Sequence, residues 1–227
     1  MTERGMIFNG EMVRALLDGR KTQTRRIMKV QPSEDFTPMN MALETDYKAR
    51  WYTPGVVDKD GYLQPASKKV FGVSNENEGY SCPFGAVGDR IWVREAFRVH
   101  SLATDVATLV YKASERNSWT EQTHRVPVAV CNKPATPEKW TPSLHMPRWA
   151  SRILLEITDV RVERLNSISE EDAGREGYPA VPAPYGGHMD KWLWFRQLWD
   201  GIYPEQSFKH NPWVWVISFK RVEGGTA

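Results

Sequence analysis

The chain has 227 residues, of which 41% are hydrophobic, so it can bury a core and is not an extended disordered protein. Its net charge of +2 excludes a protein that binds nucleic acid through overall positive charge. The two cysteines, Cys82 and Cys131, lie far apart and form no paired metal-ligand motif, so we expect no metal and no other cofactor. No apolar run approaches the ~20 residues of a membrane span, and the N-terminus does not resemble a signal peptide, so we expect a cytoplasmic location.

The first elements in the chain are a strand and a helix. MIFNG predicts a short strand, and EMVRALLDG predicts a short helix because Met12, Ala15 and Leu16 have helical spacing. Gly19 is expected to take the positive φ that ends a helix. The stretch that follows, GRKTQTRR, belongs to a region of residues 12–30 with six cations and one acid, a local net charge of +5. Its position after a helix favours a turn, and its charge indicates either a solvated basic loop or a binding site.

Residues 31–88 differ in composition from the flanking sequence. Proline, glycine and aromatic residues recur throughout this segment, which is typical of irregular hairpins and loops. VDKDGYLQP contains an Asp-Gly turn signal between two short extended runs. We therefore predict an insertion at about 37–80 that lies on a smaller core.

The rest of the chain alternates strand and helix patterns. Strands are predicted for AVGDRIWVREAFRV, ATLVYKA, RVPVAVC and PWVWVISFKRV, and the longest for ILLEITDVRVERL, with Asp159 as a break. ISEEDAGREG predicts a short helix with Ser169 as its N-cap, and DKWLWFRQLWDGIY predicts an amphipathic helix. Because strands dominate, we expect an α+β fold built as a small mixed or antiparallel β-barrel with short flanking helices.

Two stretches contain candidate site residues. Lys21 and Thr24 could form a base and a nucleophile, and the alternative is a solvated loop. In HMPRWASRI, Arg148, Trp149 and Arg152 combine a stacking ring with two guanidinium groups that can bind phosphate. The alternative here is a tryptophan buried beneath a strand, with the arginines extending into solvent.

Several of these stretches resemble the ASCH domain of the PUA-like superfamily: GRKTQTRR, VGDRIWVRE, and the long strand with the short acidic helix after it. QPSEDF, CPFGAVGDRIWVRE, SLHMPRWASRI, SISEEDAGREG and NPWVWVISFKRV look like the larger ASCH-containing proteins of bacteriophages and prophages. The similarity spans most of the chain except 37–80. It implies one ASCH domain over 1–227, with a small mixed β-barrel, and a cytoplasmic protein of a bacterium or a phage-infected host.

The resemblance also implies an activity. Some small ASCH proteins are N(4)-acetylcytidine amidohydrolases, whose active-site lysine, threonine and glutamate are matched here by Lys21, Thr24 and Glu176. Thr24 would attack the acyl carbonyl, Lys21 would take its proton, and Glu176 would help to protonate the departing amine. Direct attack by a water that Thr24 orients is equally consistent with the sequence.

Two other functions remain open. ASCH domains are associated with RNA, so the first is a non-catalytic module that binds RNA or DNA, with RNA preferred. The second is a phage accessory protein that binds a host protein, with some of its ten tryptophans as anchors. The residues predicted to bind nucleic acid or substrate are Arg25, Arg26, Arg148, Trp149 and Arg152.

Overall fold

The computed structural model describes residues 1–180, 187 and 189–222. Over these residues the protein has the predicted α+β composition, mostly strands in several sheets with a few short helices. The helices are α1 (Gly10–Leu17), α2 (Trp119–Gln122), α3 (Glu170–Arg175) and α4 (Asp190–Ile202). None of the described helices has the length and hydrophobicity needed to cross a lipid bilayer.

The strands are numbered in chain order. They are β1 (Glu3–Ile7), β2 (Gln23–Ile27), β3 (Arg50–Tyr52), β4 (Gly55–Val57), β5 (Leu63–Pro65), β6 (Val70–Ser74), β7 (Gly79–Ser81), β8 (Arg90–Arg94), β9 (Phe97–Leu102), β10 (Val106–Tyr111), β11 (Thr123–Pro127), β12 (Leu154–Arg164) and β13 (Trp213–Arg221). The closed barrel and the single domain over 1–227 remain predictions.

The chain divides into two compact units. Unit 1 contains Met1–Thr22, Asp89–Glu156 and the residues from Lys220 onwards, and unit 2 contains Gln23–Gly88 and Ile157–Phe219. The boundaries therefore fall within β12 and β13 and directly before β2.

Unit 1 is built on two sets of paired strands. β1 runs parallel to β8, β8 pairs antiparallel with the first residues of β12, and β9, β10 and β11 form an antiparallel sheet. Asn9 caps α1 by accepting a hydrogen bond from the Met12 N–H at 2.8 Å, and Gly19 has a φ of 72°, as predicted. The buried residues of one core cluster are Phe97, Val99, Ala107, Leu109, Tyr111, Val126, Met146 and Ala150.

Unit 2 contains β2, which pairs antiparallel with β13 and places Thr24 opposite Ile217. The turn predicted through Thr24 is therefore wrong, because the chain is already extended from Gln23. The predicted break at Asp159 is also wrong, since β12 is continuous through it. Ser169 caps α3 as predicted, accepting from the Asp172 N–H at 3.1 Å. The core cluster of this unit consists of Leu165, Ile168, Ala173, Phe195, Trp199, Phe208, Val214 and Val216.

The segment predicted as an insertion belongs to unit 2. It forms the hairpins expected from its turn signals: β4 pairs with β5, and β6 lies between β3 and β7. Its backbone is also tied to β12. The Ala49 N–H donates to the Val160 carbonyl at 2.8 Å, and the Val162 N–H donates to the Tyr47 carbonyl at 2.9 Å.

Candidate functional site

Four residues of the basic stretch GRKTQTRR are buried: Lys21, Gln23, Thr24 and Arg25. Lys21 is 2% exposed, Thr24 is 1% exposed and Arg25 is 3% exposed. A solvated loop does not describe these residues. Because burial of an unpaired cation is costly, the fold must supply partners for the charges that it buries.

Arg25 has its partners within unit 2. Its Nε donates to Glu163 Oε1 at 2.8 Å, its Nη1 to Glu176 Oε1 at 3.0 Å, and its Nη2 to Asp172 Oδ2 at 3.3 Å. Nη1 also donates to Gln23 Oε1 at 2.7 Å. Burial by itself lowers the pKa of Arg25, but the charges of Glu176, Glu163 and Asp172 more than offset this, so the pKa lies above its usual value.

A second arginine joins the same carboxylates. Arg161 on β12 donates from Nη2 to Asp172 Oδ2 at 2.6 Å and to Glu163 Oε2 at 3.3 Å. We refer to Arg25, Arg161, Glu163, Asp172 and Glu176 as the Arg25 cluster. Its carboxylates come from β12, from α3 and from the residue that ends α3. The cluster thus joins β2, β12 and α3 through charged hydrogen bonds, which are stronger than neutral ones.

Of the three predicted catalytic residues, Glu176 belongs to the Arg25 cluster, and Thr24 and Lys21 do not. Glu176 is 3% exposed and bonds directly to Arg25. Side chains alternate along a strand, so Gln23 and Arg25 share one face of β2 and Thr24 lies on the other. Lys21 belongs to unit 1, where its backbone N–H donates to the Ala15 carbonyl at 3.0 Å. Common action of Lys21, Thr24 and Glu176 stays a prediction.

The predicted binding arginines of HMPRWASRI have protein partners in unit 1. Arg148 Nε donates to Glu3 Oε2 at 2.8 Å. Arg152 donates from Nε and Nη2 to the two carboxylate oxygens of Glu95 at 2.9 and 3.0 Å, and its guanidinium lies 4.0 Å from the Tyr111 ring centroid. These contacts give both arginines a visible structural role. Their predicted role in binding remains untested.

Trp149 and Arg26 complete the predicted binding set. Trp149 is half-buried and meets Phe97 edge to face, with ring centroids 6.2 Å apart. Arg26 is also half-buried and lies opposite Trp215 in the pairing of β2 with β13. Trp149 therefore packs against the core of unit 1, which is the arrangement considered as the alternative to base stacking.

Glu95 was not among the residues that the sequence singled out. It is almost completely buried, and burial raises the pKa of its carboxyl group, partly opposed by Arg152. Glu95 also lines a cavity of about 720 Å³ in unit 1, together with Arg14, Lys112 and Arg116. In the sequence its only signal was its charge, within the predicted strand AVGDRIWVREAFRV.

Two carboxylate partners of Arg25, Glu163 and Asp172, were also missed, although β12 carried a signal. Arg161 and Glu163 alternate with the buried residues Val160 and Val162. Such alternation gives a strand one charged face, and a charged face on a long internal strand needs compensating charges from elsewhere in the fold.

A second cavity lies entirely within unit 2 and has a volume of about 450 Å³. Glu163 lines this cavity and also belongs to the Arg25 cluster. The other lining residues are Phe36, Tyr47, Arg161, Val162, Arg164, Ser167 and Trp213. The cavity thus combines aromatic rings with charges of both signs.

Buried hydroxyl, ammonium and carboxylate groups can supply a nucleophile and proton-transfer groups. The part of the chain that the structure describes contains no cluster of three His, Cys, Asp or Glu residues suited to a metal ion. No protein-family model, no curated protein and no solved structure matches the chain. Function is therefore inferred from the residues themselves and their geometry.

Proposed function

We propose that the protein binds a nucleoside or a nucleic-acid base and removes an acyl group from a modified cytidine, as its resemblance to ASCH amidohydrolases implies. The observation that carries the proposal is the burial of Lys21, Thr24 and Glu176, which are 2%, 1% and 3% exposed. Buried ionisable groups are concentrated at functional sites. The small mixed β-barrel of that family and a cytoplasmic location in a bacterium or phage-infected host belong to the same proposal.

In the proposed reaction, Thr24 Oγ attacks the acyl carbonyl carbon while Lys21 Nζ takes the hydroxyl proton. The tetrahedral intermediate then releases the exocyclic amine of cytidine, which is protonated by Lys21 Nζ with the help of the Glu176 carboxylate. Water hydrolyses the acyl-threonine ester: the Glu176 carboxylate takes a proton from the water as its oxygen attacks the ester carbon, and this proton passes to Thr24 Oγ as the ester bond breaks. The products are cytidine and a free carboxylic acid, and the enzyme is regenerated.

Arg25 has a positioning role in this scheme. Its hydrogen bond to Glu176 Oε1, 3.0 Å long, restricts the orientation of that carboxylate. A residue held in this way loses less conformational freedom when it reaches the geometry needed for proton transfer. Arg25 is then important for catalysis without contacting the substrate.

The direct test is a mass-spectrometric assay of the purified protein against a panel of acylated and unmodified nucleosides. We expect N(4)-acetylcytidine or a related acylated base to be converted into the free nucleoside and the corresponding acid. Tight binding of RNA or DNA without conversion of any acylated nucleoside would exclude the hydrolase and leave a non-catalytic binding module.

The second candidate is that binding module, with RNA preferred to DNA. The cavity of unit 2 favours it, because aromatic rings beside arginines suit a base and its phosphate. A module of this kind binds oligonucleotides with an affinity that falls as salt concentration rises, because phosphate contacts release counterions. A hydrolase acting on free nucleosides does not require that dependence.

A further inference from the structure

The cavity of unit 2 has no part in the proposed hydrolysis, since Lys21, Thr24 and Glu176 are absent from its lining. We name it the Tyr47–Trp213 pocket, after two of its aromatic residues. Its volume of about 450 Å³ lies within the range of small-molecule sites, roughly 300–1,000 Å³. We propose that it is a second binding site, which holds a nucleotide by stacking its base against Tyr47 and Trp213 and binding its phosphate with Arg164.

The aromatic walls provide the first argument. The rings of Tyr47 and Trp213 are inclined by only 25°, with centroids 6.3 Å apart. Paired rings usually have centroids ~4.5–7 Å apart, so these two rings form an ordinary stacked pair, and a base can enter between them only if the rings separate. Phe36 meets Trp213 edge to face at 5.5 Å. Two nearly parallel faces beside a perpendicular ring favour a flat ligand.

Tyr47 combines a fixed backbone with an exposed side chain. Its carbonyl accepts a hydrogen bond from the Val162 N–H at 2.9 Å, which attaches this part of the chain to β12. Its side chain is nevertheless exposed, at 44% for the residue as a whole. The ring can therefore move outward to admit a base without breaking the backbone pairing. The segment predicted as an insertion thus supplies one wall of the pocket.

Trp213 supplies an independent indication that a ligand binds. The residue is 4% exposed, and its indole Nε1–H is buried without a hydrogen-bond partner among the described residues. Buried indole N–H groups usually have an acceptor, because an unsatisfied donor costs about 1–3 kcal/mol. Because the indole N–H donates in the plane of the ring, the acceptor is a ribose or phosphate oxygen of the nucleotide rather than the base that stacks on the face of Trp213.

The charges of the pocket select an anionic ligand. The Arg164 guanidinium lies 4.9 Å from the Trp213 ring centroid and makes one long hydrogen bond, from Nη1 to the Asn211 carbonyl at 3.4 Å. Arg161, by contrast, is engaged by Asp172 and Glu163. Arg164 is therefore the cation that can bind a phosphate, for which the planar guanidinium is well suited. A flat ring with an acceptor and a phosphate describes a nucleotide.

Isothermal titration calorimetry tests the proposal with three kinds of probe: the four ribonucleoside monophosphates, the corresponding nucleosides, and a short single-stranded oligoribonucleotide. We expect at least one monophosphate to bind and its nucleoside to bind about tenfold more weakly. Tyr47→Ala should weaken binding by about tenfold or more, as for the loss of one base-stacking contact. Arg164→Gln should remove the preference for the monophosphate over the nucleoside.

Each variant has a matched control in unit 2. Tyr62→Ala removes another exposed tyrosine, and Arg196→Gln removes an arginine that lies over Trp192 rather than over the pocket. Neither should change the affinity. Trp213→Phe keeps a ring but removes the N–H donor, so it should weaken binding less than Tyr47→Ala. Circular dichroism confirms that each variant is folded.

The outcomes separate the proposal from its alternatives. Binding of the oligoribonucleotide alone, weakened by Tyr47→Ala, would support the pocket and identify a nucleotide within RNA as its occupant. The proposal would be overturned if no probe bound, or if Tyr47→Ala behaved like Tyr62→Ala. Failure of the proposed hydrolysis would not affect this test, because none of the probes carries an acyl group. If Thr24→Ala abolished binding and Tyr47→Ala did not, the probe would bind elsewhere and the proposal for the Tyr47–Trp213 pocket would be overturned.

Discussion

Arg25 and Glu176 form a buried ion pair in which Nη1 lies 3.0 Å from Oε1. The two residues are 151 positions apart in the sequence. The sequence predicted one as a cation that binds nucleic acid and the other as a catalytic acid. In the structure each is a partner of the other.

The first prediction concerns the stability that this pair provides. Arg25→Gln removes the charge that Glu176, Glu163 and Asp172 share, so it should lower the free energy of unfolding by about 3–5 kcal/mol. Arg196→Gln is the control, because its pair with Asp200 is exposed and its loss should cost about 0–1 kcal/mol. Urea denaturation followed by tryptophan fluorescence measures both. An equal decrease in the free energy of unfolding in the two variants would show that the buried ion pairs of the Arg25 cluster stabilise the protein no more than an exposed pair does.

The second prediction concerns turnover. Thr24→Ala should leave little hydrolysis of N(4)-acetylcytidine, and Glu176→Gln should reduce kcat by ~100- to 10,000-fold because the amide cannot transfer a proton. Glu171→Gln is the control, since Glu171 is an exposed acid of the same helix, α3. Mass spectrometry of the products gives the rates. Full activity in Thr24→Ala would exclude the proposed mechanism even if hydrolysis itself is observed.

The third prediction follows from the raised pKa of Glu95. The folded protein holds this carboxyl proton more tightly than the unfolded chain does, so the free energy of unfolding should fall as pH rises above the usual Glu pKa of 4.5 towards the raised pKa. Glu95→Gln has no proton to lose and should flatten this decrease. Denaturation midpoints measured across mildly acidic pH provide the test. If Glu95→Gln keeps the wild-type dependence of unfolding free energy on pH, groups other than Glu95 cause that dependence.

The fourth prediction concerns two glycines of unit 2. A Cβ on Gly72 would lie 1.9 Å from the Tyr80 carbonyl oxygen and 2.9 Å from the Ser81 Cα. Gly72→Ala should therefore separate β6 from β7 and lower the melting temperature. Gly201→Ala is the opposite case, since a Cβ there meets no atom within 4 Å and alanine favours α4 by about 0.5–1 kcal/mol. Calorimetry should show Tm changes of opposite sign.

Local patterns predicted most of the secondary structure. Ser169 followed by acids specified the start of α3, and the periodic aromatic residues specified α4. The start of β2 was missed because its extended form depends on pairing with β13, far along the chain. Asp159 does not interrupt β12, because the half-buried side chain is 3.8 Å from Arg161 on the charged face of the strand. Long-range pairing thus overrides the local signal at β2, whereas a contact within β12 itself accommodates Asp159.

The candidate site was predictable to a smaller extent. The sequence indicated that residues 19–26 were unusual, and the burial of Lys21 and Thr24 excludes a solvated loop at these two positions, while their role in a site stays a prediction. It gave no indication that the Arg25 carboxylate partners would come from β12 and α3. Charge counted along a segment cannot reveal compensation between segments that are distant in sequence.

The attachment of residues 47–49 to β12 has a consequence for solubility. These residues occupy the Val160 carbonyl and the Val162 N–H, which would otherwise form an unpaired β-sheet edge. Exposed edges of this kind template pairing with other chains and promote aggregation. A protein shortened by deletion of 37–80 would therefore present an unpaired strand edge, and we expect it to self-associate.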